Sequence, residues 1–355
     1  MHIPIENIYY LLCYAWNKLD AKDRISVAVD DKTELLDLFA KILINATKIL
    51  LKRGVDRNYV NYTSEIPGIK GKLELSQTIK RNLHLKQRTI CSYDEFSANV
   101  PINEILVTTL HRLIKTRDLN RDLKDEIKRI LWMFTDIDQI EIRSSLLKTI
   151  RLNRNNRFYG IILDVCQMIH ENSKLPTEQS GMWKFVDFTR DEWKMSQLFE
   201  AFVRNFYKVE LSDYYVVKRE DIRWQFSSSS TENFQFLPKM ETDITLESKN
   251  KTSKIIIDTK YYRETMVTNY DKERIHSTNL YQLFSYLMNQ QDNNNPVTLQ
   301  AAGILLYPTI DKDLDLHYKY DDHNIYIKTV NLNAHWKKIE ERLKQIIGID
   351  AKHNN

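Results

Sequence analysis

Three side chains in the second half of the chain form a pattern with chemical potential: Asp243, Asp258 and Lys260. Met240, Thr242, Ile244 and Leu246 alternate with polar neighbours, which predicts a half-buried strand over 239–247. Ile255, Ile256 and Ile257 form a continuous β-branched run, as in a strand buried on both faces, over 254–262. The polar stretch 247–253 is turn-like, so the two strands read as a hairpin. Asp258 and Lys260 are two apart and share one face of their strand, and Asp243 reaches that face from its neighbour. Two carboxylates close together repel unless a cation sits between them. Mg²⁺ is held by one or two carboxylates together with water and phosphate oxygens. A lysine beside such a pair suits the negative charge that develops on phosphorus under attack by water.

The elements around the hairpin carry more of the same chemistry. Residues 279–287 read as a helix with Leu280, Leu283, Phe284 and Leu287 on one apolar face. Gln282 and Tyr286, four apart, lie one turn above each other on another face. Residues 195–203 read as a second amphipathic helix, within a longer one over 191–210, with Glu200 among apolar neighbours. An Asp-x-Lys triplet on a strand surface is common by chance, but the apolar run before Asp258 buries this one. The order D-x(14)-D-x-K resembles the PD-(D/E)xK nuclease superfamily, with Thr242 where proline is usual. The Q-x-x-x-Y of Gln282 and Tyr286 resembles the subgroup that contains the nuclease domain of RecB, where these residues support the catalytic lysine or the substrate. Glu200 stands where the superfamily carries an acidic residue on its first core helix. A plain solvated helix position is an equally open reading of it.

The chain has 355 residues, enough for two domains, with 42% apolar and 28% charged residues, a globular composition. A net charge of +4 is too mild to argue for nucleic acid by itself. Cys13, Cys91 and Cys166 are too few and too scattered for a disulfide framework, a zinc site or an iron–sulfur cluster. Neither a signal peptide nor a membrane span of roughly 18 apolar residues is recognisable, so a cytoplasmic location without membrane contact is expected. No segment matches G-x-x-x-x-G-K-[ST], so a nucleotide-hydrolysis site is not visible.

In chain order, helices are predicted over 3–19, over 33–51 with Thr33 as N-cap and Gly54 as stop, over 103–116, 123–134 and 161–171, and over 336–347. Strands are predicted over 59–65, 72–79, 214–218, 221–226, 299–307 and 324–331. Pro67, Gly68 and Gly71 mark a turn. Residues 69–90 hold six basic residues against the single acid Glu74, and 142–160 hold five basic residues and no acid. Charge runs are usually solvated faces, but two in one region lean toward an anionic partner, either DNA or an acidic protein surface. Residues 173–181 are the best linker. The fold class is therefore α/β: an N-terminal α+β domain over 1–175 and a C-terminal domain with a mixed sheet over 182–355.

With the order established, five segments together resemble the McrC family, the nuclease subunits of McrBC modification-dependent restriction systems. They are Asn7-Ile-Tyr-Tyr-Leu-Leu, Ile66-Pro-Gly-Ile-Lys-Gly-Lys-Leu-Glu, Met240-Glu-Thr-Asp-Ile-Thr, Asp258-Thr-Lys-Tyr-Tyr and Asn279-Leu-Tyr-Gln-Leu. The resemblance implies a restriction-endonuclease-like C-terminal domain and an N-terminal domain that docks into a ring of McrB, an AAA+ GTPase that recognises methylated cytosine. It implies that the GTPase is stimulated and double-stranded DNA is cut. Asp243 and Asp258, helped by the Thr259 carbonyl, would bind Mg²⁺, and Lys260 would orient the attacking water or stabilise the phosphate. Two other readings stand beside it: a non-catalytic GTPase activator with a decayed nuclease domain, and a free-standing RecB-like nuclease.

Overall fold

The computed structural model describes residues 3–19, 33–174, 182–227, 231–262, 267–269, 272–309 and 313–348. The described residues divide into two compact units, one of residues 3–19 and 187–348, the other of 33–186. This departs from a division into 1–175 and 182–355. Helix α1 (Ile5–Ala15) lies in the unit of the C-terminal residues. Its apolar face of Ile8, Leu11 and Leu12 is buried, and Asn205 donates to the carbonyls of Tyr14 and Ala15 at 3.0 and 2.9 Å. Those carbonyls at the end of α1 have no partner inside the helix. Asn7 donates to the Leu332 and Ala334 carbonyls at 2.8 and 2.9 Å, and Tyr10 stacks on Trp336 at 4.4 Å.

The unit over 33–186 is α+β. Helix α2 (Leu35–Arg53) is its core, with Leu38, Phe39, Ile42, Leu43 and Ala46 fully buried. Thr33 is not its N-cap: Glu34 takes that place without a side-chain cap bond, and the Thr33 hydroxyl accepts from Lys41 at 3.3 Å. Gly54, at φ 90°, ends the helix as expected. Strands β1 (Asn58–Pro67), β2 (Lys72–Leu73) and β3 (Arg88–Ser97) form an antiparallel sheet in the order β1-β3-β2. The strand expected over 72–79 stops at Leu73, and helix α3 (Leu75–Lys80) follows. Thr78 hydrogen-bonds back to the Glu74 carbonyl and receives the Ile90 amide, which ties the helical turn to β3. Helices α4 (Pro101–Ile114), α5 (Arg121–Leu131), α6 (Ser144–Thr149) and α7 (Tyr159–Glu171) follow, with Pro101 in the first turn of α4 and Asn120 capping α5 through the Asp122 amide. Ser173 and Lys174 form β4, paired with β5 (Lys184–Phe185). The rest of the expected linker, 175–181, lies outside the described residues.

The other unit continues with α8 (Glu192–Glu210), capped by Asp191, whose carboxylate accepts from the Trp193 and Lys194 amides. Strands β6 (Tyr215–Lys218), β7 (Asp221–Ile222), β8 (Met240–Glu241), β9 (Ile244–Ser248) and β10 (Lys254–Thr259) come next. A small pair, β11 (Val267–Asn269) and β12 (Lys272–Arg274), precedes helices α9 (Ser277–Asn289) and α10 (Pro296–Leu299). Strands β13 (Ala302–Thr309), β14 (Asp315–Tyr320) and β15 (His323–Asn331) and helix α11 (Trp336–Ile346) complete it. The main sheet has six strands in the order β14-β15-β13-β10-β9-β6. It is mixed: β10, β13 and β15 run parallel, while β9, β6 and β14 are antiparallel to their neighbours. Ile256, Leu305, Tyr307, Ile325 and Ile327 form one core cluster with Leu283, Tyr286 and Leu287 of α9. Gly303 permits that approach, because a Cβ there would lie 2.9 Å from Leu287. No described helix is long and apolar enough to cross a membrane.

Candidate active site

β10 lies between β9 and β13, but its pairing with β9 ends at Ile257, so Asp258 and Thr259 pair with β13 alone. Asp258 shares a face of β10 with Ile256, which packs toward α9. The side chain is 0% exposed. Lys260 Nζ lies 2.8 Å from its Oδ2 as an ion pair, yet neither carboxylate oxygen has a well-directed hydrogen bond. A carboxylate taken out of water with this little compensation is costly in its charged form. Burial accordingly pushes Asp258 up to about 7, against the pull of Lys260 and with the push of Asp243.

Asp243 sits at a bend, not inside a strand. The single strand expected over 239–247 is broken into β8 and β9, because its two parts pair with different partners. Met240 and Glu241 pair with β7, whereas 244–248 pair with β6 and β10. The bend carries Asp243 to the end of β10, where its Oδ2 accepts from the Thr259 amide at 2.8 Å and the Thr259 hydroxyl at 2.9 Å. Burial and the charge of Glu200 raise Asp243 above the usual carboxylate range.

From Lys260 a chain of hydrogen bonds runs along α9. Lys260 Nζ donates to Gln282 Oε1 at 3.0 Å, Gln282 Nε2 to the Tyr286 hydroxyl at 2.6 Å, and that hydroxyl to the Glu241 carbonyl at 2.9 Å. The chain fixes the Gln282 amide, and Lys260 is held between that amide and the Asp258 carboxylate. Burial raises the Tyr286 hydroxyl to about 12, which keeps it a donor at neutral pH.

Glu200, on α8, has an Oε1 paired with Arg204 at 2.6 Å and with Arg219. Its charge nevertheless reaches Asp243 and Asp258, and it raises both. The structure thus brings Asp243, Asp258, Thr259, Lys260, Gln282 and Tyr286 together, with Glu200 beside them but committed to two arginines. Arg219, Glu220, Thr242 and Lys254 form the frame of the bend, and of these the sequence points only to Thr242, as the residue in the usual place of proline. The signal that could have found the others is Lys254, a lysine that opens an isoleucine run yet is 5% exposed. Among the described residues no group of three or more His, Cys, Asp or Glu side chains is gathered to hold a metal. Any ion here would rely on two carboxylates and a backbone or water oxygen.

Residues 6–308 match the family model described as McrBC 5-methylcytosine restriction system component. A relative from Escherichia coli (strain K12), the Type IV methyl-directed restriction enzyme EcoKMcrBC, is 33% identical over 345 residues, covering 97% of each chain. In fold, the chain is similar to a chain of the Thermococcus gammatolerans structure titled as a refined half-complex from a tetradecameric assembly of McrB AAA+ hexamers with bound McrC. The TM-score is 0.57 at 18% identity, covering 97% of this chain and 76% of that one. With the family model spanning most of the sequence and the relative matched along nearly its whole length, the chain belongs to the McrBC 5-methylcytosine restriction system component family.

Proposed function

We propose that this chain is the nuclease subunit of a modification-dependent restriction complex in the cytoplasm. Its C-terminal unit would be a PD-(D/E)xK domain that hydrolyses phosphodiester bonds of double-stranded DNA with Mg²⁺. The observation that carries the reading is Asp258, fully buried, with both oxygens lacking directed hydrogen bonds and a second carboxylate beside it. A decayed, non-catalytic domain has no reason to keep so costly a group. The donor set fits the ion, since Asp243, Asp258 and the Thr259 carbonyl offer only oxygen. Bound there, Mg²⁺ supplies Lewis-acid polarisation of the scissile phosphate and a water of lowered pKa.

The chain's own residues do the rest. Lys260, held between Asp258 and Gln282, presents an ammonium of fixed direction to charge that grows on the phosphate oxygens. Tyr286 anchors Gln282 to the Glu241 carbonyl, so the lysine is positioned before DNA arrives. Glu200, balanced by Arg204 and Arg219, adds negative potential that favours a cation at the two aspartates.

The unit over 33–186 is assigned to the partner, an AAA+ GTPase ring of the McrB kind whose GTPase rate it raises. Between β1 and β3 it exposes Ile69, Leu75, Ile79 and Leu85 beside Lys70, Lys72, Lys80, Arg81 and Lys86. Apolar side chains at such exposure, framed by cations, suit a protein surface with acidic groups better than bare DNA backbone. The test is capture of the AAA+ partner by the full chain, followed by cleavage of methylated and unmethylated duplexes with GTP and Mg²⁺. Cutting of the methylated duplex alone, lost when either GTP or Mg²⁺ is withheld, is the expected result. Cutting without the partner or GTP would instead identify a free-standing nuclease.

A further inference from the structure

The position of Asp243 depends on a bend that no regular strand pairing holds. The residue before it, Thr242, is completely buried and bracketed by Glu220. The Thr242 amide donates to the Glu220 carbonyl at 3.0 Å, and the Glu220 amide donates to the Thr242 hydroxyl at 3.0 Å. The Thr242 and Thr245 hydroxyls are 2.9 Å apart. Glu220 is in turn held by its side chain. Lys254 Nζ lies 3.0 Å from its Oε1 and 2.8 Å from its Oε2.

Lys254 opens β10, four residues before Asp258 and on the same face. One ion pair therefore links the bend that presents the first carboxylate to the strand that carries the second. The Lys254 side chain is 4% exposed and that of Glu220 is 23% exposed. A pair buried to this degree adds little stability over well-packed apolar residues, because desolvation offsets its attraction. What it does provide is a single geometry. Arg219, the neighbour of Glu220, reaches Glu200 on α8, so two consecutive residues tie α8, the bend and β10 together.

We infer that the buried Glu220–Lys254 pair is a positioning device for Asp243, setting the separation of the two carboxylates that would share the metal. The inference rests on the nuclease reading, and the test separates the two. The full-length chain, stripped of metal, is titrated with Mn²⁺ by calorimetry, and the Mg²⁺ concentration for half-maximal DNA cleavage is measured in parallel. Lys254→Met and Glu220→Ala are each expected to weaken Mn²⁺ binding by about 10- to 100-fold, the usual cost of losing a residue that supports a metal ligand. The Mg²⁺ requirement should rise by a similar factor, and Glu220→Gln, which keeps an acceptor for Lys254, should fall between. DNA affinity without metal should not change.

Thr242→Val keeps the ion pair and removes the hydroxyl bracket. It reports on the bend alone; if Lys254→Met does not fold, Glu220→Gln, which keeps the volume and removes the charge, decides the matter for the ion pair. Folded variants with the native Mn²⁺ affinity overturn the inference and leave the nuclease reading standing. A native chain that binds no Mn²⁺ and cuts no DNA overturns both.

Discussion

Replacing Asp258 by asparagine should make the metal-free protein more stable at alkaline pH, not less. In the folded chain the carboxyl titrates near 7, against an ordinary value of 3.8. That gap of roughly three units, at ~1.36 kcal/mol per unit, is a penalty of about 4 kcal/mol on the folded state when Asp258 is charged. Because the folded value is raised, the folded state binds the proton more tightly than the unfolded one. Stability from this group is therefore full below about pH 4, falls as pH rises from there to about 7, and is flat above. Asparagine removes the titration and most of the penalty, so a gain of about 2–4 kcal/mol at pH 8 is expected, shrinking toward zero near pH 4. Urea unfolding with a chelator at pH 5 and pH 8, followed by hydrogen exchange in β10 and β13, isolates the unit concerned. Excess Mg²⁺ should close the gap by stabilising the native chain alone. If Asp258→Asn is no more stable than the native chain at pH 8 without metal, the account of a costly, metal-ready carboxylate is wrong.

Other outcomes follow from the same geometry. Asp258→Ala and Asp243→Ala should abolish DNA cleavage while capture of the AAA+ partner is unchanged, read by nicking and pull-down assays. Lys260→Ala should slow cleavage by ~10²- to 10³-fold with little loss of DNA affinity, since its charge acts on the transition state; equal losses in binding and rate would reduce it to a backbone contact. Gln282→Leu, which leaves Lys260 in place without its acceptor, should slow cleavage by about 10- to 100-fold at saturating metal. Ile69→Asp combined with Leu85→Asp should prevent GTPase stimulation while leaving Mn²⁺ binding at the aspartates intact, as two titrations on one preparation would show.

Asp258, Lys260, Gln282 and Tyr286 are legible because each follows from a short window of sequence, whereas Asp243 reaches them from a bend and not from a strand position. Parity on a strand and the four-residue helix turn are properties of short windows, and they survive into the fold. The bend at Thr242 was not legible. Met240, Thr242, Ile244 and Leu246 alternate correctly on both sides of it, and only the change of partner from β7 to β6 and β10 breaks the strand. The pairing of Glu200 with Arg219 and of Glu220 with Lys254 spans 19 and 34 residues, beyond any local pattern. β3 escaped notice because its exposed Asp94, Glu95 and Phe96 give no period-two signal, and β14 because it is an edge strand with little buried surface. The apolar face of α1 showed that it must be covered, but not by which part of the chain.

That last point bears on how the protein is made. Helix α1 is synthesised long before the principal helix of its core, α8, which begins at Glu192. At synthesis rates of about 5–20 residues per second, α1 waits on the order of 10–40 s for its partner. Meanwhile the intervening unit, which has a buried core of its own, emerges while Ile8, Leu11 and Leu12 stay uncovered. The wait exposes a sticky segment during translation, and the closing contact is long-range and correspondingly slow. A chaperone requirement, or aggregation of nascent chains stalled before residue 192, is the cost that this order of assembly imposes.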